Sequence, residues 1–200
     1  MSSALLKGGI ASVGVGSAGL GGWAISSHLN NTVASVLSSK GYKLTSSLKE
    51  SEQDAAWKKV TRTYQLEVRG DLKIKEGVVT DVDLKNWCSQ NMKVQSNDAL
   101  LRKASKWCVI YSSFEDKLKE EGVELEADTN SLKNRYSDLR ELTNEVSKIT
   151  PDSGTGDENG RKLKKWCEKM VHLSYSDDSV YQTFKKHCVK ATTPVAGASG

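Results

Sequence analysis

Apolar residues recur along this chain at three- and four-residue spacing, the period of helices that bury one face. Ala56, Trp57, Val60 and Tyr64 form the first such stripe, on a helix beginning near Glu52. Thr80 or Asp81 can cap a second helix that puts Val82, Leu84, Trp87 and Cys88 on or near a buried stripe. Asn97 or Asp98 can cap a third, with Leu100, Leu101, Ala104, Trp107, Cys108 and Tyr111 inward. Residues 66–77, interrupted by Gly70 and Gly77, and the acidic residues 114–126, interrupted by Gly122, fit no period well. Asp128 or Asn130 starts a long helix over residues 128–148 that keeps Leu132, Tyr136, Leu139 and Val146 in phase. Pro151, Gly154, Gly156 and Gly160 mark residues 151–160 as a flexible surface loop. Beyond it, Leu163, Trp166, Cys167, Met170 and Leu173 share a stripe; Ser176 or Asp177 caps a last helix with Val180, Tyr181, Phe184 and Cys188 inward. The pattern predicts an all-α fold, a small bundle of helices.

Two stretches of this pattern resemble each other. Three Trp-Cys dipeptides, Trp87-Cys88, Trp107-Cys108 and Trp166-Cys167, hold three of the 5 tryptophans and three of the 4 cysteines, and the fourth cysteine lies in the same frame as His187-Cys188. Leu84-Lys85-Asn86-Trp87-Cys88 parallels Leu163-Lys164-Lys165-Trp166-Cys167, and Lys106-Trp107-Cys108-Val109 parallels Lys186-His187-Cys188-Val189. The cysteines of each stretch are 20 and 21 residues apart. This reads as one helical hairpin used twice, over about residues 80–111 and 157–190. Trp57, Trp87, Trp107 and Trp166 are the expected core, since each brings the largest apolar surface available.

The first 29 residues differ from the rest. Residues 8–29 hold no Asp, Glu, Lys or Arg, and Lys7 is the only charge before Lys40. About 20 residues of helix cross a bilayer. Small residues at four-residue spacing (Gly8, Ser12, Gly16; Gly14, Ala18, Gly22) suit close helix contact in membranes, and Trp23 suits the far interface. Residues 1–29 therefore read as a signal anchor, or as a signal peptide cleaved after Ala24; both export the following chain, with Lys7 inside. A Ser- and Asn-rich linker is expected over residues 30–51, one helical domain over 52–191, and a disordered tail over 192–200. The expected location is the cell membrane, single-pass, with the C-terminal domain outside. A rival reading uses Gly14, Gly16 and Gly19, which match G-x-G-x-x-G, for a small intracellular dinucleotide-binding protein. That motif needs an acid closing a second strand some 20 residues on, and residues 32–39 contain none.

Charge and chemistry narrow the classes further. Lys+Arg number 29 against 25 Asp+Glu, a net +4, which lacks the basic stripe of a nucleic-acid binder. No Cys-x-x-Cys or zinc-spaced Cys/His cluster occurs, nor a serine elbow, a phosphate loop with lysine, or a metalloprotease motif. His187-Cys188 is the one nucleophile–base neighbour pair, but adjacent helical residues do not face each other. Glu115/Asp116, Glu120/Glu121 and Asp177/Asp178 read as solvated faces and caps. The expectation is a non-catalytic protein with no catalytic, metal or cofactor residues and no small-molecule substrate. Four cysteines fit either four buried thiols or two disulfides. Export favours disulfides, and the repeat then makes Cys88–Cys108 and Cys167–Cys188 the simplest connectivity.

The glycine- and alanine-rich N-terminal segment, the helix carrying Trp57-Lys58-Lys59 and the repeated L-K-x-W-C segments resemble large paralogous families of short surface or membrane-associated proteins of haemotropic mycoplasmas. The resemblance implies display at the surface of a wall-less bacterium living on red cells, with a host surface protein as partner or a part in antigenic variation. His187 departs from the repeat, and the Trp57 copy lacks a cysteine. The resemblance carries no functional residue across.

Overall fold

The computed structural model describes residues 31–191. The anchor-like segment 1–29, its Gly14-Gly16-Gly19 motif and the tail 192–200 lie outside the described residues. Among those described, the secondary structure is helical: nine α-helices and a few isolated β-bridges. No described helix is long and apolar enough to cross a membrane. In place of one helical domain the chain forms two compact units, divided between Tyr111 and Ser112.

The N-terminal unit holds α1 (Val33–Ser39), α2 (Glu50–Glu67), α3 (Asp81–Asn91) and α4 (Asp98–Trp107). Its helix starts follow local chemistry. Glu50 and Glu52 sit in the first turn of α2, where the helix dipole favours acids. Thr80 and Asp83 close a capping box on α3, and Asn97 caps α4. Val33, Leu37, Trp57, Val60, Tyr64, Leu84, Cys88, Ala104 and Trp107 make its core. The expected linker over 30–51 is thus corrected: it contains α1, with Val33 and Leu37 buried, and a 3-10 turn at Thr45–Ser47 with Thr45 buried. Val33 and Leu37 are a single i, i+4 pair in a polar stretch, too few to show as a periodic signal. Val82 is a second correction: it is 61% exposed, because it lies about two residues and 200° round the helix from Leu84, which is fully buried.

The C-terminal unit holds α5 (Phe114–Glu121), α6 (Thr129–Tyr136), α7 (Thr143–Val146), α8 (Glu158–Met170) and α9 (Asp178–Cys188). Ser113 and Asp116 form a capping box on α5, and Asp128, Asp157 and Asp177 cap α6, α8 and α9. Gly122 ends α5 with φ 66°, a left-handed cap that glycine adopts without cost. The long helix expected over 128–148 is broken. After α6 the chain passes Ser137 and Asp138, whose short polar side chains compete for local backbone bonds; Ser137 Oγ donates to the Asn134 carbonyl at 2.8 Å. A 3-10 turn, Arg140–Leu142, then leads into α7. Leu139, Leu142 and Val146 remain buried across the break, the i, i+3, i+7 spacing that a continuous helix would also turn inward.

Gly160 also departs from its expected place in a surface loop: it lies buried in the first turn of α8. There α8 crosses α6 so closely that a Cβ on Gly160 would overlap the Thr129 carbonyl oxygen and lie 2.8 Å from its carbon. Gly156, at φ 102°, meets the Thr129 side chain in the same way.

The two units make matching backbone hydrogen bonds. The N–H of Val33 donates to Val94 O (3.1 Å), as Phe114 does to Leu173 (2.9 Å). Ala34 donates to Met92 and Glu115 to Val171; Ser96 to Asn31 and Tyr175 to Ser112. Thr45 donates to Cys108 O (2.9 Å) and Glu126 to Cys188 O (2.8 Å); Ile110 to Lys43 and Lys190 to Glu124. In each unit the start of the first helix is pinned by the turn of the cysteine hairpin, and the segment following that helix by the residues around the second cysteine. These bonds involve residues 31–45 and 112–126, which precede the stretches 80–111 and 157–190.

A test of the α6–α8 crossing follows. Gly160→Ala should destabilise the protein by about 1–3 kcal/mol or more through overpacking, although Gly→Ala inside a helix ordinarily stabilises. Gly154→Ala, whose Cβ would meet nothing within 4 Å, should change stability little. Urea midpoints of the two variants give the comparison.

Candidate functional site

The two cysteine hairpins are the chemically distinctive parts of the described chain. Cys88 and Cys108 lie at bonding distance with Cα atoms 5.6 Å apart, as do Cys167 and Cys188 at 5.5 Å, and no cysteine is free. Both Cα separations fall in the ordinary disulfide range. In each hairpin one cysteine lies within a helix (Cys88 in α3, Cys167 in α8) and its partner at the end of the next, Cys108 just past α4 and Cys188 closing α9. All four sulfurs sit in buried residues. These cysteines staple helices together and present no thiol for nucleophilic chemistry.

The tryptophans divide between the units. In the N-terminal unit the Trp107 ring is fully buried, packs edge-on against Tyr64 at 4.9 Å, and donates its N–H to the Leu72 carbonyl at 2.9 Å. Trp57 is buried beside it in the same core. Trp87 is a correction: it is only partly buried, packed at the margin of that core. Leu84 and Cys88 face inward one turn apart, which leaves Trp87, about 100° round from Cys88, on the flank. In the C-terminal unit the roles reverse. Trp166, next to Cys167, is fully buried and donates its N–H to Glu145 Oε1 at 3.0 Å, while the position matching Trp107 is His187.

His187 is 5% exposed. Burial pushes its pKa below the ordinary value; Lys186 and Arg135 act in the same sense, and Asp138 opposes them. An open depression of about 470 Å³ lies beside it, floored by Leu139, Leu142 and Val180. Arg140 and Lys186 stand around it with Asp138, Glu141 and Asp177, so both signs of charge surround an apolar floor. The wall opposite α9 is the 3-10 turn Arg140–Leu142, which begins with Arg140 at φ 49°. Its counterpart in the N-terminal unit is the 3-10 turn Gly70–Leu72, which begins with Gly70 at φ 44° and offers the carbonyl that Trp107 uses. A non-glycine residue in this region is strained, and such residues gather at functional sites.

Of the other histidines, half-buried His172 has its Nδ1 3.4 Å from a Glu115 carboxylate oxygen, and His28 is outside the described residues. Among the described residues no group of three or more His, Cys, Asp and Glu could hold a metal ion. Periodicity pointed at neither Arg140 nor the depression. The visible traces are short: Gly70-Asp71-Leu72 against Arg140-Glu141-Leu142, and Val33, Leu37, Gly41, Leu44 against Phe114, Leu118, Gly122, Leu125. Comparison with known proteins adds no relative: no family model matches the chain, and no curated protein or solved structure is similar to it.

Two measurements bear on this region. Arg140→Gly should stabilise by about 0.5–1 kcal/mol by releasing the left-handed backbone, and Gly70→Ala should cost a similar amount although its Cβ meets nothing. The second concerns His187. Because its folded pKa is lowered, the unfolded chain takes up the proton first. Stability is present above about pH 6.5 and is lost as pH falls from there toward the lowered folded value. The drop in urea midpoint between pH 7 and pH 5 should be smaller in His187→Gln than in the unaltered protein.

Proposed function

We propose that this chain is a non-catalytic, membrane-anchored protein displayed at the cell surface, built from two copies of one disulfide-stapled helical unit. The observation that carries this reading is the state of the cysteines. All four are paired, each within its own unit, and such pairs persist outside the reducing cytoplasm. The charge-free N-terminal segment, preceded by Lys7, supplies the anchor in this reading. The shared set of hydrogen bonds from α1 and α5 to the hairpins supports the duplication.

A unit of this size buries a limited apolar core, and a staple offsets that shortfall. Each bridge closes a loop of 20 or 21 residues, for which the chain-entropy model gives about 3 kcal/mol. The exposed helix faces are then free to vary in sequence while the staple and core hold the fold. That property suits host contact or antigenic variation, as the resemblance to haemotropic mycoplasma surface proteins implies.

Protease treatment of intact cells tests the display. Residues 40–200 should be digested without lysis, and the protein should stay in the membrane pellet after alkaline carbonate extraction. Protection of the domain until lysis overturns the reading. Non-reducing peptide mapping of cell-derived protein should join Cys88 to Cys108 and Cys167 to Cys188. Replacing Cys88 and Cys108 together with serine should cost about 3 kcal/mol.

A further inference from the structure

We infer that the depression beside His187 is a binding site for an indole-type ring. The two units meet the same geometric problem in two ways. In each, the helix ending at the second cysteine faces a 3-10 turn whose first residue has positive φ, Gly70 in one and Arg140 in the other. In the N-terminal unit the chain fills that interface itself. Trp107 is fully buried there, and its N–H reaches the Leu72 carbonyl on the turn. In the C-terminal unit the matching residue is the smaller His187, and between α9 and the turn lies a depression of about 470 Å³.

That volume lies within the range of small-molecule sites, and the open lining sets three apolar side chains among polar and charged ones. Leu139, Leu142, Val180 and the imidazole of His187 supply the apolar and aromatic surface. Charged groups stand at its rim, as Arg102 and Asp71 do in an ion pair beside the Trp107 interface of the other unit. Arg140 and Lys186 can meet a carboxylate, and Asp138, Glu141 and Asp177 can meet an ammonium group. A tryptophan-like ligand satisfies both parts: its ring takes the place that Trp107 occupies in the other unit, and its charged ends reach the rim. Arg140 holds a backbone conformation that glycine holds in the other unit, so a guanidinium is placed at this rim at a cost in strain. The inference is independent of where the chain resides.

The test uses the purified full-length chain with both disulfides intact. Its His187 imidazole signals are followed by NMR during titration with indole, L-tryptophan and N-acetyl-L-tryptophanamide, with calorimetry alongside. Saturable movement of the His187 signals with at least one probe is expected. Binding of L-tryptophan alone identifies a free zwitterion, equal binding of the acetylated amide a side chain within a peptide, and binding of indole alone a bare ring. His187→Trp, which restores the residue of the other unit and fills the depression, should weaken calorimetric binding at least tenfold. Val180→Glu, which charges the floor from a partly exposed position, should do the same and covers a failure of the first variant to fold. No saturable change with any probe at millimolar concentration, or binding unaltered in the folded variants, overturns the inference.

Discussion

The second cysteine of each pair is the residue on which its unit depends. Through its sulfur, Cys108 ties α4 to α3, and through its carbonyl it accepts the Thr45 N–H that fixes the chain beyond α1. Cys188 does the same for α9, α8 and the segment after α5, where Glu126 donates. One residue thus joins three segments that are far apart in sequence. A covalent cross-link removes freedom from the unfolded chain, while the hydrogen bond satisfies a carbonyl at a helix end that would otherwise lack a partner. The short first helix can then be built from few apolar residues, since its start and the segment beyond it are held by backbone bonds.

Close packing in the C-terminal unit places its own constraint. The crossing of α6 and α8 at Gly160 leaves no room for a side chain. Lys133 pairs with Asp157, the cap of α8, at 3.2 Å beside this contact. The polar bond at the helix start and the bare backbone of Gly160 together let the two helices approach. Trp166, further along α8, fills the space beyond and finds Glu145 as its acceptor. The helix carrying Glu145 exists as a separate element because the chain breaks at Arg140, so the strained turn and the buried indole are linked through α7.

The difference between the units is concentrated at the tryptophans. In the N-terminal unit the indole beside the second cysteine is interior and the one beside the first is marginal; in the C-terminal unit the indole beside the first cysteine is interior and histidine replaces the other. Each unit therefore buries one Trp-Cys indole fully. An imidazole fills less space than an indole and carries a titratable nitrogen, so the interface that a buried indole fills in one unit borders an open depression in the other.

Local chemistry determined much of this architecture in advance. The stripes led by Trp57, Leu84, Ala104, Leu163 and Phe184 gave helices, because burial at a period of 3.6 leaves a trace in the order of residues. Thr80, Asn97, Asp128 and Asp177 marked helix starts, because a cap needs only atoms three residues away. The repeated Trp-Cys frame predicted the pairing of Cys88 with Cys108 and of Cys167 with Cys188, which lie at bonding distance. Other features depend on partners distant in sequence. Val33 and Leu37 join the core of a unit in which the turn after α3 bonds the start of α1 and the end of α4 bonds the segment beyond it. Gly160 read as a loop glycine until Thr129 was brought against it. Trp87 fell to the margin because Leu84 and Cys88 already faced the core. The helix over 128–148 kept its apolar period, yet α6 ends at Tyr136 and a 3-10 turn starting at Arg140, with φ 49°, precedes α7. The depression beside His187 exists only where that broken turn meets α9: its walls are some forty residues apart, and no local pattern joins them.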